Sequence, residues 1–307
     1  MKKVLLFIIC SVIIFSIYSC GDGKKQSKDK LKVIATTTII SDAVKNIAKD
    51  KVELFQPLCG PGVDPHSYTA TTRDIKNLSS SDIIFYSGLR LEEQLAAILE
   101  KMQDRAIAVT ADIPKSKLLT WETGGKRIGF DPHIWNNPDL WSMAVVKIAG
   151  ILAEKDSANK EFYIKNSKNY IKQIRESADF IKKQIELIPD SQRVLITTHD
   201  AFRYFSAYYG FKNMSLLGIS TQNEASVQKI QNLADYIAKH GIKSIFVETI
   251  VNEKSLKALQ EAVRARGAEV KVAHRPLYSD AFGTETPEDS YIGMVKYNIV
   301  VISEGLR

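Results

Sequence analysis

A glycine-free stretch from residue 156 to residue 188 restricts the folds open to this chain more than any other feature. Apolar residues recur in it at the spacing of one face of an α-helix, at Ile164, Ile171, Ile174, Ala178, Ile181, Ile185 and Ile188. About 30 residues in one helix form a rod on the order of 45 Å long. The stripe fits either a coiled-coil dimer or a single helix packed across two halves of a monomer. We favour the single helix, because the stretch begins and ends where the two halves do.

Short runs rich in β-branched and aromatic residues alternate with helical stretches on both sides of this segment. The runs cover residues 33–37, 52–58, 82–86 and 106–110, and then 193–198, 214–219, 244–248 and 269–273. Such alternation favours mainly parallel sheets with helices on their faces. The sequence therefore predicts an α/β fold of two parallel-sheet lobes connected by a single long helix. The N-terminal lobe is expected over residues 32–155, the connecting helix over 156–189 and the C-terminal lobe over 190–307.

The N-terminus has the pattern of an export signal. Two lysines precede sixteen uncharged residues, fewer than the about 20 that a membrane-spanning helix needs. The segment ends in "IYSC", which resembles the lipobox of bacterial lipoproteins. We therefore expect a signal peptide over residues 1–19, lipidation of Cys20 and a flexible tether over residues 20–31. An uncleaved anchor or a plain signal peptide would also place the folded part outside the cytoplasm.

The cysteine count and the basic residues argue against a disulfide-stabilised fold and against a nucleic-acid-binding protein. Cys10 lies in the signal and Cys20 would carry lipid, so Cys59 alone remains and no disulfide can form within the mature chain. Cys59 closes an apolar run, and we expect it to be a small buried hydrophobic residue. The formal charge of +7 falls to +5 without the two lysines of the signal. No basic motif is interleaved with aromatic residues, so we expect no nucleic-acid partner.

Three of the five histidines and one aspartate occupy loops that a parallel α/β fold would bring together. His66 follows the run 52–58 in the loop "GPGVDPH", and His133 lies in "FDPHIWNNP". His199 directly follows the run 193–198, and Asp280 lies in the loop after the last predicted strand. In open α/β sheets, ligands bind beyond the carboxyl ends of the strands. Two of these side chains come from each lobe, so we expect all four to meet in one cleft.

Three imidazoles and one carboxylate suit a borderline-soft divalent transition metal. Calcium and magnesium would instead require shells of oxygen atoms. A metal site also needs ligands held in a narrow range of positions, and Pro65 and Pro132 stiffen the chain immediately before His66 and His133. The sequence therefore predicts one transition-metal site between the lobes.

Three further side chains are weaker candidates. Glu248 ends the run 244–248 and could either hydrogen-bond the outer side of a ligand imidazole or cap a helix. His240 precedes Gly241 at a predicted helix end, where a cation complements the helix dipole, so we expect a structural role. His274 is six residues from Asp280, and we expect it to lie outside the ligand set.

The motifs around these residues resemble those of the zinc- and manganese-binding lipoproteins that serve bacterial ABC importers. The matching segments are "ATTTIISDAVKNIA", "GPGVDPHSY", "DPHIWNNP", "THDAFRYFSAYYG", "FVETIVNEKSLKAL" and "LYSDAFG" followed by "SYIGMVKYNIVVI". They occur in this order from about residue 33 to the end, which is nearly all of the mature chain.

The resemblance implies a lipid-anchored protein outside the cytoplasm, with two α/β lobes joined by a stiff helix that permits little closure. It implies that a transported Zn²⁺ or Mn²⁺ is held by His66, His133, His199 and Asp280 and delivered to an ABC membrane permease. Manganese-specific relatives typically have a glutamate where His199 stands, whereas zinc-dedicated relatives often have a His-rich loop between the first two ligands. This chain has no histidine between His66 and His133, so both metals stay open.

Two other functions are compatible with a metal site in an exported chain. A secreted zinc hydrolase would keep a water on the metal and could use Glu248 as its base. The sequence has no HExxH motif, however, and four expected ligands leave little room for water, so we expect no enzymatic activity. In a lipid-anchored adhesin the metal would only stabilise the fold. A delivery protein should instead stay folded when empty and gain thermal stability on binding.

Overall fold

The computed structural model describes residues 30–222, 225–250 and 254–307. The predicted signal peptide, Cys20 and all but the last two residues of the predicted tether lie outside the described residues. Within the described ranges, no helix has the length and apolar character needed to cross a membrane.

A parallel sheet of four strands organises the N-terminal half, residues 30–155. Its strands are β1 (Leu31–Ala35), β2 (Val52–Leu54), β3 (Ile83–Tyr86) and β4 (Ala106–Ala108), in the order β2-β1-β3-β4. Val33 pairs with Leu54 on one side and with Ile83 on the other. Both β1 and β3 consist largely of buried apolar residues, as expected for a parallel sheet covered on both faces. The helices of this half are α1 (Thr38–Ala48), α2 (Thr72–Ser80), α3 (Ala96–Lys101) and α4 (Pro138–Lys155).

An antiparallel hairpin that the sequence analysis did not predict follows this sheet. Strands β5 (Thr120–Thr123) and β6 (Lys126–Phe130) flank Gly124 and Gly125. Both glycines have positive φ, 58° and 73°, which is the backbone that a two-residue hairpin turn requires. The hairpin delivers the chain directly to Asp131 and the loop that carries His133.

The C-terminal half, residues 190–307, repeats the α/β pattern with shorter strands. Strand β7 (Val194–Thr197) pairs with β8 (Lys212–Ser215), and β9 (Ser244–Ile245) pairs with β10 (Lys271–Val272), all in parallel. A bridge between Thr197 and Phe246 joins the two pairs. The helices are α6 (Arg203–Tyr209), α7 (Val227–His240), α8 (Lys254–Arg264) and α9 (Tyr291–Leu306). The strand predicted over 214–219 ends at Ser215, and the residues after it instead hydrogen-bond the segment around His199, with Leu217 donating to Thr198 and Gly218 accepting from Asp200.

The long helix, α5 between α4 and α6, runs from Lys160 to Ile185 and is 26 residues long. That length corresponds to about 40 Å. The predicted stripe is buried in its second half, whereas Ile164 and Ile171 are partly buried and pack against the edge of the core. The adjacent Tyr163 and Tyr170 take the buried positions there. This face packs on α1, α4 and α9 of the same chain, so it is not available as a coiled-coil seam.

The predicted fold class, two parallel-sheet α/β units connected by one long helix, is confirmed. Buried residues of the N-terminal sheet, α4, α5, α9 and one side of the C-terminal half form a single hydrophobic core. A second core lies beneath α7 and α8. Because one core crosses both halves, the division into lobes at residues 155 and 190 stays a prediction.

Candidate metal centre

The four predicted ligands lie together at the carboxyl ends of the strands. His66 is in the loop after β2, His133 in the loop after β6, His199 two residues after β7, and Asp280 in the loop between β10 and α9. His66 is 2% exposed and the other three side chains are fully buried. One donor atom from each residue lies within 4.8 Å of the donor atoms of the other three.

The distances among the donor atoms match a small coordination shell. Nε2 of His66 lies 3.2 Å from Nε2 of His133 and 3.3 Å from Oδ2 of Asp280. Nε2 of His199 is 3.5 Å from Oδ2 of Asp280, and Nε2 of His133 is 3.6 Å from Oδ1. A tetrahedral ion with bonds of about 2.0–2.2 Å separates its ligand atoms by about 3.3–3.6 Å. These four distances therefore fit ligands of one ion, and all four donor atoms lie within 4.8 Å of one another.

Several of these atoms are buried without a hydrogen bond. Within the described residues, Nε2 of His199 and both carboxylate oxygens of Asp280 have no hydrogen-bond partner. Each such atom costs about 1–3 kcal/mol when it is left unsatisfied. A cation between them would satisfy all three at once, so the donor set fits a metal ion.

Carboxylates on the outer side of two imidazoles set the ring orientation. Nδ1 of His133 lies 2.7 Å from Oδ1 of Asp131, and Nδ1 of His199 contacts Oε2 of Glu248. Oε1 of Glu248 also accepts hydrogen bonds from Oγ1 of Thr198 at 2.8 Å and from the backbone N of His199 at 3.0 Å. A carboxylate on Nδ1 leaves the Nε2 lone pair free for a metal. These contacts match a Glu248 that hydrogen-bonds the outer side of a ligand imidazole rather than one that caps a helix.

Asp131 was missed by the sequence analysis, although a local signal was present. The tripeptide Asp-Pro-His occurs twice, at residues 64–66 and 131–133. In both copies the aspartate Oδ1 accepts a hydrogen bond from the histidine backbone N, at 2.9 Å for His66 and 3.0 Å for His133. This turn, in which an aspartate bonds the backbone two residues later, fixes each histidine after its proline. The repeat of the motif could have drawn attention to both aspartates.

Burial and the charges of the site together raise the pKa of His133 and His199 and lower the pKa of His66 and Asp280. Burial lowers the pKa of His66. Burial opposes protonation of His133 as well, but the negative charges of Asp280 and Asp131 raise its pKa to about 9. Burial likewise opposes protonation of His199, yet Glu248 and Asp280 hold its pKa well above the usual range. Burial would raise the pKa of Asp280, but the charges of His133 and His199 hold it well below its usual range. In the empty site, protons thus partly stand in for a metal.

Comparison with known proteins decides the family. The family described as "Zinc-uptake complex component A periplasmic" matches residues 33–305. The chain belongs to this component A family. The match takes in all four predicted ligands and both halves of the fold.

Relatives of this chain match it over nearly its whole length. The manganese-binding lipoprotein MntA of Bacillus subtilis is 38% identical over 298 residues, which are 95% of this chain and 96% of MntA. The zinc-binding protein TroA of Treponema pallidum is 37% identical over 292 residues, 94% of this chain and 93% of TroA. A solved structure of periplasmic zinc-binding TroA from Treponema pallidum has a TM-score of 0.85 at 38% identity, covering 91% of this chain and 99% of that one.

The Asp280 loop is hydrogen-bonded to the N-terminal half. The indole Nε1 of Trp135 donates to the backbone oxygen of Ser279 at 2.8 Å, and the backbone N of Phe282 donates to Oγ1 of Thr38 at 3.1 Å. The hydroxyl of Tyr291 in turn donates to the Trp135 backbone oxygen at 2.8 Å. These bonds hold the carboxylate ligand against the two histidines that come from the other half.

The remaining histidines and Cys59 lie outside the metal centre. His240 ends α7 before Gly241, whose φ of 60° closes the helix, and its ring stacks on Tyr236. The side chain of His274 is 70% exposed and lies 3.9 Å from Glu304. Cys59 is 1% exposed, and burial raises the pKa of its thiol, so it is an inert core residue as expected.

Proposed function

We propose that this protein is an extracytoplasmic solute-binding protein that captures Zn²⁺ or Mn²⁺ and delivers it to an ABC import permease. The observation that carries the proposal is the convergence of four buried donor groups, whose donor atoms all lie within 4.8 Å of one another. The relatives add support, because they are named as zinc- or manganese-binding proteins and as manganese ABC transporter substrate-binding lipoproteins.

The ligands in this proposal are His66, His133 and His199 through Nε2, and Asp280 through its carboxylate. The metal is the cargo, and it replaces the protons that the site holds when empty. Four protein ligands close the shell and leave the ion no position for a reactive water.

The same geometry argues against the hydrolase alternative. A catalytic base needs a free carboxylate oxygen facing a metal-bound water. Both oxygens of Glu248 instead contact Thr198 or His199 on the outer side of the imidazole. We therefore infer a binding protein without catalytic residues.

Either metal can use this donor set. One carboxylate oxygen with three imidazoles gives the tetrahedral shell typical of zinc. Both oxygens of Asp280 face the imidazoles, at 3.3 and 3.5 Å for Oδ2 and 3.6 Å for Oδ1, so a bidentate carboxylate could supply the larger shell that manganese prefers. Because zinc exceeds manganese in affinity at most nitrogen and oxygen sites, we expect the purified protein to bind zinc more tightly.

Attachment to the membrane follows from the N-terminal sequence. We infer cleavage after residue 19, lipidation of Cys20 and a tether that ends where β1 begins, at Leu31. The folded part would then work as a monomer outside the cytoplasm, close to the permease that receives the metal. Metabolic labelling with a fatty acid should mark the parent chain and should not mark Cys20→Ala.

Removal of one ligand tests the function. His133→Ala should weaken zinc binding more than about 100-fold, since even loss of an outer hydrogen-bond partner of a metal ligand costs about 10- to 100-fold. Competition with a chromogenic chelator measures the affinity, and circular dichroism checks the fold. His274→Ala is the matched control, because that exposed histidine should leave the affinity unchanged. Unchanged zinc affinity in His133→Ala would show that His133 is not a ligand and would contradict the proposed function.

Stripping the metal distinguishes delivery from a purely structural metal. The large shared core does not depend on the ion, so the empty protein should stay folded and should melt at a higher temperature when metal is restored. Unfolding on treatment with a chelator would instead support the adhesin alternative.

A further inference from the structure

His66 is held in place by different contacts from those of the other three ligands. Carboxylates hold the outer nitrogens of His133 and His199, and a hydrogen bond from Trp135 fixes the loop of Asp280. Among the described residues, no carboxylate lies on the outer nitrogen of the His66 ring. The position of this imidazole therefore depends on the backbone of its loop.

Two side chains of the C-terminal half hold that loop from across the cleft. Oγ1 of Thr221 donates to Oδ2 of Asp64 at 2.5 Å, and Nε2 of Gln222 donates to the backbone oxygen of His66 at 2.6 Å. The first bond ends on a carboxylate, which makes it one of the stronger kinds of hydrogen bond. Asp64 is also the residue whose Oδ1 accepts from the backbone N of His66, so the bond from Thr221 supports the turn that places the imidazole.

These contacts lie at the accessible side of an otherwise enclosed site. Gln222 is exposed and Thr221 is partly exposed, whereas His133, His199 and Asp280 are fully buried. Separating Thr221 and Gln222 from the His66 loop breaks these two hydrogen bonds, and neither residue belongs to the shared hydrophobic core. Moving His133 or His199 would break its buried contact with Asp131 or Glu248. Moving the Asp280 loop would break the bond from Trp135 to the backbone oxygen of Ser279.

We propose that Thr221 and Gln222 are positioning residues that hold His66 on the metal, and that their separation from the His66 loop is the step that releases the ion. This inference rests on the proposed metal-binding function. The two hydrogen bonds connect the two halves of the protein next to the metal. A partner that moves Thr221 and Gln222 away would therefore weaken the bond from His66 to the ion and leave the other three ligands in place.

The test compares dissociation rates of zinc in excess chelator. Thr221→Val and Gln222→Met remove one hydrogen-bonding group each with little change of size, and each should speed dissociation about 3- to 10-fold. The double variant should reach about 10- to 100-fold. Thr221→Ser keeps the hydroxyl and should restore the parent rate. Gln228→Met is the control, because the exposed side chain of Gln228 donates to Asn232 within α7 and has no bond to the His66 loop among the described residues.

A second measurement shows whether the faster dissociation of zinc arises from a changed position of His66. In a His66→Ala background the double substitution should produce no further acceleration, and the visible spectrum of the Co²⁺-loaded protein should stay the same. In the parent background the double substitution should change that spectrum, because the geometry at His66 changes.

Three results would overturn the inference: parent-like dissociation in the double variant, failure of Thr221→Ser to restore the rate, or full acceleration in the His66→Ala background. Each is separable from failure of the metal site itself, since His133→Ala reports on the site independently of Thr221 and Gln222.

Discussion

Metal binding should become steeply weaker as the pH falls, because protons and metal compete for the same nitrogen atoms. In the empty site the pKa of His133 is about 9 and that of His199 is well above its usual range, so both rings carry an extra proton at pH 7. The pKa of His66 is lowered and that of Asp280 is well below its usual range, so neither holds a proton there. Each zinc ion should therefore displace about two protons at pH 7.

Two displaced protons set the size of the effect. The apparent association constant should rise about 100-fold per pH unit around neutrality and should become less dependent on pH above about 9. Titration calorimetry in buffers of different ionisation enthalpy counts the protons directly. Release of fewer than one proton at pH 7 would refute the reasoning, because it would mean that His133 and His199 are neutral in the empty protein.

The same pKa shifts make the stability of the empty protein depend on pH. A histidine whose pKa is higher in the folded state than in the unfolded state stabilises the fold. This contribution is fully present at pH values below the unfolded-state pKa of about 6.5, where the ring is protonated in both states. That contribution is lost as the pH rises through the folded value, about 9 for His133. Alkaline pH therefore favours metal uptake and weakens the empty fold.

Three substitutions probe the supports of the site and of the fold. Glu248→Gln should weaken zinc binding about 10- to 100-fold in chelator competition, because the ligand imidazole loses its carboxylate, and the thermal melting of the empty protein serves as the control for folding. Trp135→Phe removes the indole donor to Ser279 and should weaken zinc binding severalfold in the same assay, whereas an unchanged affinity would show that the Asp280 loop is held by other contacts. Tyr170→Phe removes the hydroxyl that donates to Oδ2 of the partly buried Asp42, so denaturant unfolding should show a loss of about 1–3 kcal/mol with zinc affinity unchanged.

Periodicity and strand-end positions predicted much of this architecture. The two parallel-sheet units, the long helix and the meeting of His66, His133, His199 and Asp280 follow from local patterns combined with the rule that α/β sheets bind ligands at the carboxyl ends of their strands. The register of α5 was harder to predict, because tyrosines can be buried when a partner satisfies the hydroxyl. Tyr170 does so with Asp42, which is 128 residues away in sequence.

The contacts that orient the ligands depend on the tertiary fold. Glu248 was identified as a candidate with two possible roles, and only its distance to His199 distinguishes them. Thr221 and Gln222 belong to a short polar turn like many others, and their significance arises from the approach of the His66 loop across the cleft. Local sequence carries no information about such an approach, because it is set by how the whole core packs.

A crystal of the zinc-loaded protein, measured on both sides of the zinc absorption edge, tests the central claim most directly. The account predicts one anomalous peak at full occupancy, within about 2.0–2.2 Å of Nε2 of His66, His133 and His199 and of at least one oxygen of Asp280. A peak elsewhere, or one bound by fewer than three of these imidazoles, would contradict it.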